Sequence, residues 1–313
     1  MTVISYGEVM GVFAVNDGKL MHRDSAQFYI AGAEANTLIG LSKLGISSQF
    51  VSATGNDAVG DAVKYQLKGE GVGTEFLDTV DNQSTGIMTK ERGVANTIRG
   101  DYFRKYSAIN HYEIGVFIKK IFESANILYI TGITPALSQH TYETAIALIK
   151  EAKKKGLTII FDPNYRKKLW NQKEFKSFYQ VIEKDIDILL SGKSEAKILF
   201  GSKTNEEIAK NLQNKLLVIK DGSNGAFFAN QEESIFKEAY KVNEIDPVGA
   251  GDAFAAGLIY GIERFGIDNI SQISKYALGM GALATTSYGD FYGLPNLNEL
   301  ERFLNYQLSD VER

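Results

Sequence analysis

Short apolar runs recur along this chain, and an amphipathic stretch follows most of them. That alternation sets the strongest limit on its fold. Val3–Tyr6, Gln49–Ala53, Ile127–Thr131, Leu157–Phe161, Ile186–Leu190 and Leu216–Lys220 read as buried strands. Ala35–Leu44, Asp61–Glu70, Thr141–Lys155, Phe175–Lys184 and Glu206–Gln213 carry helical periodicity between them. Strand alternating with helix predicts an α/β fold, a mostly parallel sheet covered by helices on both faces. The last third turns helical, at Asp252–Phe265, Ile270–Thr285 and Leu297–Leu304. Such a sheet binds ligands at the carboxyl ends of its strands.

Two segments break the rhythm. Residues 10–31 and 86–106 alternate polar and apolar residues without a helical period, as in Gly86-Ile87-Met88-Thr89-Lys90-Glu91-Arg92. Either they pair into a small sheet beside the main domain or they run as long surface loops. The core is then 1–9, 32–85 and 107–313.

Composition excludes several classes. The 313 residues are 44% hydrophobic and 23% charged with a net charge of −4, which suits a globular domain and offers no nucleic-acid surface. Lys153-Lys154-Lys155 reads as the solvated end of a helix. No cysteine is present, so disulfides, thiolate zinc sites and a cysteine nucleophile are out. No apolar run has membrane-spanning length, and the N-terminus lacks an export signal, so a cytoplasmic protein is expected. His22, His111 and His140 have no metal-ligand spacing.

Asp246-Pro247-Val248-Gly249-Ala250-Gly251-Asp252 runs straight into an apolar helix. A small-residue turn opening a helix bares backbone amides and favours an anion. A carboxylate inside that turn would repel a phosphate unless the chemistry needs both. Phosphoryl transfer does: amides of Gly249, Ala250, Gly251 and Asp252 hold the migrating group, and Asp252 orients the attacking hydroxyl. The helix N-terminus is expected to keep the Asp252 pKa low. A dehydrogenase is excluded, because Gly7-Glu8-Val9-Met10-Gly11 after the first strand is not a dinucleotide fingerprint.

Other motifs point to the same cleft. Ala31-Gly32-Ala33-Glu34-Ala35-Asn36 marks a strand-to-helix transition, either a plain helix start or a place for a ligand against Gly32 with Asn36 on a hydroxyl. Gly45 and Gly55-Asn56-Asp57-Ala58-Val59-Gly60-Asp61 read as a turn and a helix cap. Asp162-Pro163-Asn164-Tyr165-Arg166 follows a strand, and Arg166 is either a surface ion pair or a bidentate carboxylate clamp. Tyr102 and Arg104 share one face of a strand by alternation. Arg104 and Arg166 together suit a substrate bearing a carboxylate. Lys220-Asp221-Gly222-Ser223-Asn224-Gly225 reads by itself as a hairpin turn. The small-residue helix Ala277–Thr285 either packs on a neighbouring helix or lines a nucleotide.

The seven-residue string resembles the Asp-Thr-x-Gly-Ala-Gly-Asp signature of the ribokinase-like (PfkB) carbohydrate kinases, with Pro247 in place of Thr. Ala31–Asn36 is similar to that family's Gly-Gly-x-x-x-Asn. Asp162-x-Asn164-x-Arg166-x-x-Leu169-Trp170, Tyr102-x-Arg104 and Gly289-Asp290 before Gly293-Leu294-Pro295 resemble the branch acting on 2-keto-3-deoxygluconate. Resemblance covers nearly the whole chain. It implies a β-sheet lid over the sugar, built from residues 10–31 and 86–106. It implies that Tyr102, Arg104 and Arg166 contact the acid sugar and that Gly32, Asn36 and Asp290 complete its site. It places Asn164, Lys220, Gly222, Ser223, Gly225, Gly249 and Gly251 at ATP. Magnesium is expected with the nucleotide, but Gly192 stands where the family has Asn in Asn-x-x-Glu, so no protein ligand is assigned. Met88 stands where some members carry a tyrosine. The implied activity is ATP-dependent phosphorylation of the 6-hydroxyl of 2-keto-3-deoxygluconate, with a neutral-sugar kinase and a catalytically silent sugar or nucleotide binder as rivals. Lid edges that pair between subunits predict a homo-oligomer.

Overall fold

The computed structural model describes residues 2–15, 17–93, 97–115, 118–211 and 215–309. Its strands are β1 (Thr2–Tyr6), β2 (Met10–Val15), β3 (Gln27–Ala31), β4 (Ser47–Gly55), β5 (Leu77–Val80), β6 (Gly86–Arg92), β7 (Ile98–Phe103), β8 (Ile127–Thr131), β9 (Thr158–Asp162), β10 (Ile188–Gly192), β11 (Leu216–Lys220), β12 (Ala226–Ala229) and β13 (Ser234–Lys237). The helices are α1 (Ala33–Lys43), α2 (Ala58–Gly69), α3 (Ile118–Ile121), α4 (Gln139–Lys154), α5 (Gln172–Ile182), α6 (Lys193–Phe200), α7 (Asn205–Asn211), α8 (Ala250–Phe265), α9 (Ile270–Ala284) and α10 (Leu297–Ser309).

Nine strands form one sheet in the order β13-β12-β11-β10-β9-β8-β1-β4-β5. Every pairing from β5 to β11 is parallel, and β12 and β13 add an antiparallel edge. Alternate side chains feed two separate cores, as period-2 strands buried on both faces must. Tyr129, Ile160, Ile188, Leu190 and Val218 pack with α1, α8 and α9 on one face. Leu128, Ile130, Phe161, Leu189 and Ile219 pack with α4 and α5 on the other.

Both irregular segments pair into a second sheet, ordered β3-β2-β6-β7, and are not surface loops. It is mixed: β2 is antiparallel to β3 and parallel to β6, while β6 is antiparallel to β7. Among the described residues its own buried cluster is Val12, Ala14, Tyr29 and Ala31, with Met88 against it.

The turn-and-cap reading of residues 45–61 holds. Gly45 has a positive φ of 79°, and the Asp57 side chain accepts from the amides of Gly60 and Thr85 at 2.7 and 2.8 Å. Lys220–Gly225 is a hairpin turn between β11 and β12. Five elements escaped the sequence reading: β5, β12, β13, α3 and α6. β5 and β12 are four-residue strands, too short for a period to show. Gly192–Glu195, read there only as a metal motif, open α6. Residues 94–96 of the second insert and 212–214, at the end of the expected Glu206–Gln213 helix, lie outside the described residues.

Candidate active site

The carboxyl ends of β9, β10 and β11, the loop after β1, the N-termini of α1 and α8 and the inner face of the small sheet enclose a cleft of about 1080 Å³. A parallel sheet with helices opening after its strands places bare amides there.

Gly249 begins α8 with a left-handed φ of 83°. A Cβ at this position would lie 2.1 Å from the Asp290 carbonyl, so only glycine fits on both counts. Ala253 is the first residue to donate to an i−4 carbonyl, that of Gly249 at 2.9 Å, which leaves the amides of Gly251 and Asp252 without intrahelical partners. The Ala250 amide instead bonds back to the Pro247 carbonyl at 3.4 Å, and Ala250 does not line the cleft. Pro247 is exposed and the turn closes around it, so this departure from the family pattern is accommodated.

Asn36, buried on α1, donates from Nδ2 to Asp252 Oδ2 at 2.8 Å and fixes the carboxylate's orientation. The expected low pKa of Asp252 is wrong. Burial, assisted by the carboxylates of Asp162 and Asp290, pushes it up to about 8, against the opposing pull of Asn36 and Arg166. Loss of hydration outweighs the favourable helix terminus. Asp252 therefore suits a general base better than its place in the sequence implied.

Lys220, at the end of β11, makes a 2.7 Å ion pair with Asp162 at the end of β9. Burial opposes the ammonium, but Asp162 and Glu195 outweigh it and hold the Lys220 pKa above its usual range. Glu195 spends both oxygens on backbone amides, Oε1 on Tyr165 at 2.8 Å and Oε2 on Gly192 at 2.6 Å. Among the described residues, no cluster of His, Asp or Glu is arranged to hold a metal. A magnesium ion that enters with a nucleotide fits this chemistry only if phosphates and water supply its ligands.

Arg104 reaches in from the small sheet. Its Nη1 donates to Glu8 Oε2 at 2.9 Å, and its guanidinium lies 4.9 Å from the centre of the Tyr102 ring, as alternation predicted for that pair. Glu8 also accepts from Ser107 Oγ at 2.5 Å. Arg166 lines the cleft from the β9–α5 connection.

Of the expected residues, Gly32, Asn36, Tyr102, Arg104, Asn164, Arg166, Lys220, Gly249, Gly251, Asp252 and Asp290 all line this one cleft. Asn164 sits at a φ of 38°, a left-handed conformation that asparagine tolerates. Gly222, Ser223 and Gly225 lie on the β11–β12 hairpin and do not line it. Residues 277–285 also do not; Ala277 is buried and Gly279 faces Leu300 and Leu304, so these two positions pack on neighbouring helices.

Residues 2–297 match the profile of the pfkB family of carbohydrate kinases. The chain belongs to that family. It is 33% identical to the 2-dehydro-3-deoxygluconokinase of Bacillus subtilis (strain 168), across 98% of this chain and 96% of that one. The crystal structure of 2-dehydro-3-deoxygluconokinase from Thermotoga maritima matches with a TM-score of 0.90 and 27% identity, covering 97% of this chain and 98% of that one. An uncharacterized sugar kinase from Pyrococcus horikoshii, solved in complex with ATP, matches with a TM-score of 0.83 and 27% identity over 96% and 97% of the two chains. This protein is thus a sugar kinase, a phosphotransferase with an alcohol acceptor, of a family that uses ATP. Among the described residues no helix is long and apolar enough to cross a membrane.

Three side chains of the cleft were missed by the sequence reading. Glu8 stands in a loop, where no period points anywhere. Glu34 is buried between the Thr131 and Thr134 hydroxyls at 2.7 and 2.9 Å, and burial pushes its pKa up to about 7. Lys90 is 5% exposed. Alternation along β6 puts Met88, Lys90 and Arg92 on one face, so that signal was in the sequence and went unread.

Proposed function

We propose that this kinase transfers the γ-phosphoryl group of ATP to the 6-hydroxyl of 2-keto-3-deoxygluconate. The observation that carries this reading is that Arg104, after β7, and Arg166, after β9, line the one cleft that holds Asp252. Two guanidiniums suit a carboxylate, and a neutral sugar would use neither, leaving Arg104 on Glu8 alone. The names of the relatives in Bacillus subtilis and Thermotoga maritima support the same class.

In this reading Tyr102, Arg104 and Arg166 hold the acid end. Gly32 lets the sugar approach the backbone, and Asn36 and Asp290 meet its hydroxyls. Asp252 takes the proton of the 6-hydroxyl as that oxygen attacks phosphorus in line. Amides of Gly249, Gly251 and Asp252 meet the charge on the phosphoryl oxygens, while that of Ala250 stays on the Pro247 carbonyl. Asn164, Lys220, Gly222, Ser223 and Gly225 serve the nucleotide. Magnesium, bound through the phosphates, would neutralise their charge.

The test is ADP release from ATP–Mg²⁺ with a panel of 2-keto-3-deoxygluconate, 2-keto-3-deoxygalactonate, 2-ketogluconate, fructose and ribose. Highest kcat/KM for the first is expected. Preference for fructose or ribose overturns the acid-sugar assignment and keeps the kinase.

A further inference from the structure

Lys90 and Arg92 extend from β6, a strand of the small sheet, into the core. The Lys90 ammonium lies 3.4 Å from Asp246 Oδ2 and 3.3 Å from Asp290 Oδ1. Arg92 adds a second cation 3.2 Å from Asp246 Oδ2, with its guanidinium over the Tyr288 ring at 4.9 Å. Tyr29 OH approaches Asp290 Oδ1 at 3.5 Å. Two buried carboxylates thus meet two cations, and the cluster is neutral as a whole. Such pairs are directional, and removing one partner leaves an uncompensated buried charge.

The two carboxylates belong to different parts of the site, Asp246 to the turn before α8 and Asp290 to the wall of the cleft. Asp246 opens the phosphoryl turn and accepts from the Val248 amide through Oδ1 at 3.3 Å. Asp290 lines the cleft, and its own carbonyl is the atom against which Gly249 packs. One lid side chain therefore touches both the turn that faces phosphate and a carboxylate that faces sugar.

We propose that Lys90 is a positioning residue for phosphoryl transfer. It couples the seating of the lid to the geometry of the Asp246–Asp252 turn through Asp246, and to the sugar site through Asp290. Arg92 supports only the turn. This rests on the kinase reaction and not on which sugar is the acceptor. Burial raises the Asp290 pKa while Lys90 lowers it, so Lys90 also keeps Asp290 available as a hydrogen-bond acceptor.

The test compares Lys90→Met, Lys90→Arg and Arg92→Met with the parent protein. The readouts are steady-state kinetics with the best sugar of the panel and hydrogen exchange at the amides of β6, β7 and residues 246–252. For Lys90→Met, kcat should fall on the order of 10²-fold, as for a displacement of about 1 Å at a reacting centre. Its sugar KM should rise, and exchange in all three segments should quicken. Lys90→Arg should recover most of each loss, and Arg92→Met should lower kcat with sugar KM little changed. A KM effect at unchanged kcat overturns the link to the turn. A lower melting temperature with unchanged kinetics and exchange reduces Lys90 to a structural ion pair and overturns the proposal. The exchange readout needs no sugar, so it still decides the coupling if no sugar of the panel is phosphorylated.

Discussion

The floor of the cleft and its roof are held by different forces. The floor consists of strand ends and the start of α8. Large apolar cores lie beneath it, and Ala253, Ala255 and Leu258 are fully buried. The roof is a small sheet with a minor apolar cluster. It meets the floor through Ile30, which joins the large core, and through charges: Arg104 to Glu8, Lys90 to Asp246 and Asp290, and Arg92 to Asp246. Apolar packing is non-directional and unforgiving of volume changes, whereas buried ion pairs are directional and hold only while both partners are in place. The proposed reaction would use both, a rigid place for phosphate and a cover that excludes water from the sugar.

The comparison breaks most sharply at Asp252. Asp252→Asn should lower kcat by about 10²–10⁴-fold, the span of general-base catalysis, while calorimetry still finds ATP binding. Near-native turnover would remove the carboxylate from the mechanism. Its pH dependence has two signs. The raised pKa requires that kcat/KM climb as pH rises toward about 8, where the carboxylate ionises. Stability runs the other way. Between the ordinary value of 3.8 and about 8 the folded state keeps a proton that the unfolded chain has released. The contribution is thus fully present below the lower value and is lost as pH rises through the window. Asp252→Asn should flatten both curves, the second read by denaturant unfolding at several pH values.

The roof answers differently. Arg104→Ala should raise KM for the acid sugar by roughly 30-fold, corresponding to about 2 kcal/mol for one side of a buried charge pair. KM for fructose should hardly move. An equal effect on both sugars would assign Arg104 to holding Glu8 alone.

Beneath the floor, Gly257→Ala should affect stability and spare KM. Its Cβ would meet the Tyr276 carbonyl at 2.4 Å and Ala277 Cα at 2.9 Å where α8 crosses α9. Overpacking of this kind costs about 1–3 kcal/mol, measurable by urea unfolding. The smallest effect on stability belongs to an exposed pair at the margin of the floor. Lys193 lies 2.8 Å from Asp221 but is 70% exposed. Lys193→Ala should change stability by about 1 kcal/mol or less.

Sequence alone determined the layered α/β plan, because period-2 and period-3.6 patterns are local and repeat along the chain. It also determined the phosphoryl turn: Gly249 and Asp252 declare themselves in seven consecutive residues. The arginines at 104 and 166 were legible as residue types, and the fold placed both on the cleft. Tertiary structure alone decided what each polar group faces. Asp252 looked like a carboxylate with a low pKa because its helix terminus is written in the sequence, while the burial that raises the pKa is not. Glu8, Glu34 and Lys90 acquire partners 99, 97 and 200 residues away in Ser107, Thr131 and Asp290. Electrostatics depends on distance through space and on burial, and neither quantity exists until the chain has folded.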